Sequence, residues 1–387
     1  VGRVADKLVP FHQKAETSDA ISQFGTIDAI KVNTEENFSQ TEKHIGNTVS
    51  QKKFQHIRDY TNRFLANNAS LFQKRVAEGR IRDCHGDLHA AHICFTDGIC
   101  IYDCIEFNDR FRYCDVASEI AFLAMDVDHY GRADLSNHFV KDYVARSGDK
   151  EILRLLNFYK CYRAYVRGKV ECFKSDDRYV GDAEREKSRE TARSYFDLAD
   201  AYTWSKPVLF ITAGLVGTGK TVLAQALAKR LGLAVLSSDV IRKQLAGIPS
   251  TEHRFEEFSS GIYAPEFTRK TYDELFNQAR RFLSEGTSVV LDASFIKSGE
   301  RVKARDLAKK VGADFYVLEC ILDEETIKQR LEQRLKAGTV SDGHWEVYVS
   351  QKQKFHPVTE VPPERHFIVD AAKPVETNVH AVLDRLD

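Results

Sequence analysis

The stretch Gly214-Leu-Val-Gly217-Thr218-Gly219-Lys220-Thr221 constrains this chain more than any other. It fits the spacing G-x-x-x-x-G-K-[ST]. An apolar run, 208–213, leads into it and a helical pattern, TVLAQALAKRLG, leads out. Such a loop works only between a strand and a helix, where successive backbone N–H groups can converge on one point. The glycines allow those N–H groups to turn inward around phosphate oxygens. The helix N-terminus adds the positive end of its dipole. Gly214, Gly217, Thr218 and Gly219 are therefore expected to cradle the phosphates of a nucleoside triphosphate. Lys220 is expected to reach the β- and γ-phosphates, and Thr221 to ligate Mg²⁺.

The surrounding pattern predicts an α/β fold. From Ser205 onward, apolar strands at 208–213, 233–236, 288–291, 315–321 and 367–369 alternate with helices, with Gly232 and Gly286 as C-terminal caps. Near-continuous apolar strands separated by helices imply a parallel sheet covered on both faces. Residues 1–204 have a different pattern. Apolar positions such as Phe54, Ile57, Tyr60, Phe64 and Leu65 recur at helical steps. Two short strands are expected around the turn Thr96-Asp97-Gly98, within 82–107. Helices are expected again over 115–128, through 135–173, and over 182–203. The charges of the last helix are expected to form a solvated face. The reading is a mostly helical domain at 1–204 and an α/β domain at 205–387.

Composition narrows the function classes. A chain of 387 residues suggests about two to three domains. A content of 43% hydrophobic and 29% charged residues excludes collagen-like, disordered and disulfide-scaffold classes. Lys+Arg (56) balances Asp+Glu (57), which argues against nucleic acid or an anionic membrane as partner. No apolar run approaches the ~20 residues of a membrane span, and no signal-peptide pattern is visible, so a cytoplasmic protein is expected. The eight cysteines form no C-x-x-C pair and are expected to be buried, reduced thiols. The first residue is Val1 and the single methionine is Met125, so a segment upstream is expected.

Other residues indicate reaction chemistry. In Ser237-Ser238-Asp239-Val-Ile-Arg242, Asp239 falls at the carboxyl end of a strand, where open α/β sheets bind ligands. It can accept the proton of an attacking hydroxyl, or simply cap the following helix, as Ser238 also can. Arg242 shares its helical face and can clamp an acceptor anion. Asp292, in Val289-Val290-Leu291-Asp292, can bind the acceptor, bind Mg²⁺ through water, or cap a loop. Arg330 and Arg334 can stabilise a transferring phosphoryl group, or pair with glutamates of their own helix. Residues 338–342 can hinge a lid.

Taken together, GLVGTGKT, SSDVIRK, VVLDASF and the Arg-bearing helix resemble the small P-loop kinases. That group includes gluconate kinase, chloramphenicol phosphotransferase, zeta toxins and the kinase half of polynucleotide kinase. The resemblance implies a five-stranded parallel sheet, ATP with Mg²⁺ as donor, and a small hydroxyl-bearing acceptor. It also implies Asp239 as base and Arg242 as the residue holding the acceptor.

A second motif lies upstream. Cys84-His85-Gly86-Asp87 is followed by His92 and, across the expected turn, by Asp103. A kinase catalytic loop runs H-R-D-x-x-x-x-N, with a later metal-binding Asp. This stretch resembles the aminoglycoside phosphotransferase, choline-kinase-like branch. The resemblance implies Asp87 as catalytic base, Asp103 as metal ligand and Asp115 as a brace for the loop. The order of the two halves resembles bacterial fusions of such a domain with a P-loop ATP-binding domain. Two features depart from the pattern: His92 replaces the metal-binding Asn, and residues 1–80 hold neither a Gly-rich loop nor a strand-borne V-A-I-K lysine. The nucleotide-binding lobe is expected upstream of Val1. The expected activity is ATP-dependent transfer to a hydroxyl by the P-loop domain. The alternatives are a nucleotide-binding switch that regulates the kinase-like domain, and a nucleic-acid 5′-kinase or toxin-like activity.

Overall fold

The structure is a computed structural model that describes residues 1–249, 261–337 and 345–386, without the side chains of 334–337. Arg334, the 338–342 hinge and part of the acceptor segment 244–287 therefore lie outside the described residues. The chain divides into two compact units, Val1–Trp204 with Arg230–Gly232, and Ser205–Lys229 with Leu233–Asp387.

In the N-terminal unit, side-chain caps start several helices. Thr26 accepts from the Ala29 N–H to open Ile27–Thr41. Ser50 accepts from Lys53 to open Gln51–Asn67, and Asp115 from Ala117 to open Val116–His129. The last of these is buried on nearly every side and packs against the long helix Ile152–Asp176. It sits at the centre of the core, and its buried polar groups, Glu119 and Asp128 among them, find partners there. Four short strands interrupt the helices: β1 (Ile81–Asp83), β2 (Ile93–Phe95), β3 (Ile99–Ile101) and β4 (Tyr113–Asp115). β2 and β3 form the hairpin around Thr96–Gly98, and β1 pairs antiparallel with β4.

Three details differ from the sequence-based expectation. The β1–β4 pair has no strand-like run long enough to show in the sequence. The helix Asp182–Ala201 is solvated only in part: Asp197 and Asp200 near its end are buried and accept from Lys53 (2.8 Å) and His56 (2.7 Å). Cys94, Cys100 and Cys104 are exposed: Cys94 and Cys100 pair on the outer face of the β2–β3 hairpin, whose Ile93, Ile99 and Ile101 pack against the core, and Cys104 follows in the loop beyond it. All eight cysteines are free thiols.

The C-terminal unit is an α/β layer structure. Its strands are β5 (Val208–Ala213), β6 (Ala234–Ser237), β7 (Val289–Asp292), β8 (Asp314–Ile321) and β9 (His366–Asp370). They form one five-stranded sheet in the order β6-β7-β5-β8-β9, parallel throughout. β5 and β7 are buried along their whole length, as strands covered on both faces must be. The chain leaves β5 toward β6 on one side and later returns to β8 on the other. The carboxyl ends of β5 and its neighbours thus open the crevice where such sheets bind ligands. No helix among the described residues is long and apolar enough to cross a membrane.

One buried ion network holds the N-terminal unit. Arg75, with no exposed surface, donates to both oxygens of Asp115 (2.6 and 2.9 Å) and to Asp149 (2.7 Å). Truncating it would leave two buried carboxylates unpaired. Arg75→Ala should therefore destabilise this unit by about 3–5 kcal/mol, read as a lowered urea midpoint. An unchanged midpoint would show that the network is not what holds Asp115 and Asp149.

Candidate functional site

The phosphate loop follows β5 directly, and its backbone needs glycine where the sequence supplies it. Gly214 has φ 133°, and a Cβ there would lie 2.5 Å from the Cys320 carbonyl oxygen. Gly217 has φ 85°, and a Cβ there would lie 3.0 Å from the Ile327 side chain. No L side chain fits the first of these without moving β8. The loop is closed internally by Thr218, whose hydroxyl donates to the Leu215 carbonyl (2.8 Å). Lys220 opens the helix Lys220–Leu231, and its ammonium donates to the same carbonyl (2.7 Å), across the mouth of the loop.

Two carboxylates come from the neighbouring strand ends. Thr221 donates its hydroxyl to Asp292 (2.9 Å) at the end of β7. Asp292 is buried, and in the sheet register it lies beside Ser237, the last residue of β6. Burial raises its pKa above the usual carboxylate range, and the nearby Asp239 adds to this; Thr221 and Lys220 act the other way. Asp239 lies partly exposed in the first turn of Ser238–Leu245. The N-cap position there falls on Ser237, which makes no side-chain cap bond, so neither Ser238 nor Asp239 occupies it.

The structure places Lys220, Thr221, Asp239, Arg242 and Asp292 along one cleft of about 600 Å³. Arg242 is more engaged than the sequence suggests. It is buried, donates to the Ile262 carbonyl (2.7 Å) and to Thr268 (3.2 Å), and lies over the Tyr263 ring at 4.8 Å. Among the described residues its Nε has no hydrogen-bond partner. Arg330 faces the phosphate loop: it donates to the Ala371 carbonyl (3.0 Å), and one terminal nitrogen lies 3.8 Å from a Cβ position on Gly219.

Several residues of this site carry no local sequence signal. Gln351, on the helix Trp345–Lys354, accepts from the Val216 N–H (2.8 Å), one of the loop donors. Tyr272 accepts from the Phe295 N–H (3.3 Å), and burial pushes its phenol up to about 12. Phe295 itself sits at φ 40°, and fully buried Arg301 secures it. Arg301 donates to the Phe295 carbonyl (2.8 Å) and ties that loop to His356, Pro357 and Glu360. Arg269, Lys297 and Lys303 add positive charge to the cleft wall, which also carries Glu266 and Glu300.

The His-Gly-Asp loop forms a separate cluster in the N-terminal unit. Its backbone is held by Glu119, not by Asp115. Fully buried Glu119 accepts from the N–H groups of Gly86 (2.7 Å) and His85 (3.2 Å) and pairs with His12 (2.7 Å). Asp115 is instead committed to Arg75 and to its helix cap. Burial raises the Glu119 pKa, but His12 and those backbone donors outweigh it and hold the carboxyl below its ordinary range. Asp87 is likewise low, because His89, Arg167 and His92 overcome the effect of burial. Asp103 adopts φ 64° and meets His92.

The chain is similar to several known proteins. Residues 209–358 match the family described as AAA domain. An uncharacterized protein of Mycobacterium tuberculosis is 32% identical over 345 residues, which cover 89% of this chain and 68% of that protein. Among solved structures, an unliganded sugar kinase from Janibacter is 20% identical and covers 47% of this chain and 95% of its own, with a TM-score of 0.35. An APS kinase of Mycobacterium tuberculosis in complex with AMPPNP and APS is 17% identical, covers 47% of this chain and 98% of its own, and has a TM-score of 0.36.

The raised pKa of Asp292 has a measurable consequence. Its protonated form suits the folded state, so its contribution to stability is complete below the unfolded pKa of about 3.9 and is lost as pH rises through the higher folded value. Asp292→Asn cannot ionise and escapes that loss. The variant should be more stable than the native chain near neutral pH in urea titrations, with the difference vanishing below about pH 4. A gap independent of pH would remove burial as the cause.

Proposed function

This chain belongs to the family of that mycobacterial protein, and we propose that it is an ATP-dependent phosphotransferase whose C-terminal unit transfers the γ-phosphoryl group to the hydroxyl of a small acceptor. One observation carries the reading: Lys220 and Thr221 from the loop, Asp239 from the end of β6 and Asp292 from the end of β7 all line a single cleft. A cleft built only to hold a nucleotide needs the loop and one metal-side acid. A second carboxylate beside it suits an acceptor hydroxyl.

In this reading the loop N–H groups and Lys220 bind the β- and γ-phosphates, and Arg330 lies where charge builds on the transferring group. Asp239 takes the proton of the acceptor hydroxyl as its oxygen bonds to the γ-phosphorus, and the bond to the bridging oxygen of ADP breaks. Thr221 and Asp292 offer oxygen donors of the kind Mg²⁺ prefers. Mg²⁺ bound there supplies neutralisation of phosphate charge. Arg269, Lys297 and Lys303 favour an acceptor that carries negative charge. The near-neutral composition weighs against a nucleic-acid acceptor.

A second reading is supported by the N-terminal unit. Asp87 and Asp103 both approach His92, as the acids of a kinase-like catalytic loop approach its Asn position. There the P-loop unit serves as a nucleotide-binding switch for an aminoglycoside phosphotransferase-like lobe.

γ-Labelled ATP incubated with a metabolite library should yield one labelled small molecule, identified by mass spectrometry. Lys220→Ala should lower turnover by about 10²–10³-fold. Asp239→Asn should lower it by about 10²–10⁴-fold while nucleotide affinity, read by calorimetry, changes little. Slow ATP hydrolysis with no labelled product would favour the switch. Full acceptor phosphorylation by Asp239→Asn would dismiss this residue as the base.

A further inference from the structure

Cys94, Cys100 and Cys104 fall close together in the chain, and all three are exposed, although cysteine is among the most buried residue types. Two of them are directly opposed. In the β2–β3 hairpin Cys94 is the register partner of Cys100, so both side chains leave the same face. Ile93, Ile99 and Ile101, on the other face, pack against the core. The thiol face is therefore the outer one. Cys104 stands apart from this pair, beyond the end of β3 and past Asp103, whose φ is 64°.

The ladder fixes how near the two sulfurs can come. Thr96 donates its N–H to the Gly98 carbonyl (3.2 Å), and Tyr102 donates to the His92 carbonyl (3.2 Å). These two pairs lie two residues to either side of Cys94 and Cys100. Hydrogen-bonded pairs alternate along an antiparallel ladder, so the cysteines form a hydrogen-bonded pair as well. The Cα atoms of such a pair are about 5.5 Å apart, inside the range of about 4.4–6.8 Å that a disulfide spans. Its Cβ atoms are about 4.5–5.5 Å apart, whereas a disulfide draws them to about 3.8 Å. The bond can thus close, but only by pulling the two strands together by roughly an ångström. A disulfide formed under such strain is readily reduced.

We propose that Cys94 and Cys100 form a reversible thiol–disulfide site, oxidised by a low-mass disulfide of the glutathione type, and that its state is transmitted to the His-Gly-Asp loop. One cysteine thiolate attacks a sulfur of the reagent. The reagent's S–S bond breaks, a mixed disulfide forms and one small thiol leaves. The second thiolate, held opposite, attacks the protein sulfur of that mixed disulfide, so the Cys94–Cys100 bond forms as the second small thiol leaves. The two protein thiols give up two electrons and two protons, and the reagent becomes two thiols. Transmission follows from what β3 runs into. Tyr102, the next residue, donates its N–H to the His92 carbonyl and its hydroxyl to the Ala91 carbonyl (2.9 Å), and its own carbonyl meets the His85 ring (2.7 Å). Ile105 donates its N–H to the His85 carbonyl (2.9 Å). A hairpin drawn together at Cys94 and Cys100 therefore pulls on the backbone of residues 85–92, whose other side is fixed by Glu119. The inference does not depend on the P-loop reaction.

The test is equilibration of the full chain in mixtures of reduced and oxidised glutathione, followed by alkylation and peptide mass spectrometry. As the oxidised share rises, Cys94 and Cys100 should be lost together from the alkylated pool and recovered as one internal disulfide. Excess reduced glutathione should reopen it. Cys104→Ser should leave this behaviour unchanged. Cys94→Ser or Cys100→Ser should abolish the disulfide and leave the remaining thiol carrying glutathione. In hydrogen exchange, oxidation should shift the rates of peptides covering 85–92 and 99–105 in the native chain, but not in the double variant Cys94→Ser with Cys100→Ser. Circular dichroism checks that each variant is folded, and the alkylation pattern of the native chain decides on bond formation without any variant. Several results would each overturn the proposal: both thiols free in the most oxidising mixture, glutathione carried separately on each, pairing of either with Cys104, or a bond that reduced glutathione does not reopen. So would an exchange shift missing from the native chain, or equal to it in the double variant.

Discussion

The hydrogen bond from Thr221 to Asp292 fastens three strands of the C-terminal sheet at their carboxyl ends. Thr221 belongs to the helix that the β5 loop launches. Asp292 ends β7 and is paired in register with Ser237 at the end of β6. Because Asp292 is buried, its oxygens are costly to leave unpaired, and the hydroxyl that satisfies one of them also fixes where the helix begins. The positions of Lys220, of the loop N–H groups and of Asp239 all follow from that anchor. The steric demand at Gly214, against the Cys320 carbonyl of β8, fixes the loop from the opposite side.

The N-terminal unit carries several buried polar hubs in its helical core. Glu119 collects three donors, and Arg75 spans two carboxylates. Replacing such a group whole by well-packed apolar residues is often neutral or stabilising, whereas removing one partner alone is strongly destabilising. At the His-Gly-Asp loop, Glu119 holds the backbone while Arg163 donates to the Gly86 carbonyl (3.1 Å). The side chains of Asp87, His89 and His92 are left to project from a fixed support.

The parallel sheet was legible because its strands carry apolar runs bounded by turn residues, continuous in β5 and β7, which are buried on both faces. The strand limits agree to within about one residue because Gly and charged positions mark them sharply. The P-loop conformation was legible for a similar reason: φ values near +80° to +130° leave glycine as the fitting residue. The rest depended on tertiary placement. Glu119 lies in the first turn of Val116–His129, where an acidic residue facing the helix dipole is unremarkable, and nothing in the sequence tells it from a surface glutamate. Gln351 and Arg301 act on segments 135 and 55 residues away. β1 and β4, three residues each, pair only because the loops between them bring them together. Asp197 and Asp200 match a solvated helix face until Lys53 and His56 arrive from another helix.

Gln351 has a consequence for how tightly any phosphate can be held. The Val216 N–H is already satisfied by the Gln351 side chain, so an incoming oxygen replaces one acceptor with another and does not rescue an unpaired donor. That exchange is close to neutral in free energy, apart from the charge of the phosphate. On the proposed function, a phosphate oxygen and the Gln351 side chain would compete for this one N–H, the bond that joins the helix Trp345–Lys354 to the loop.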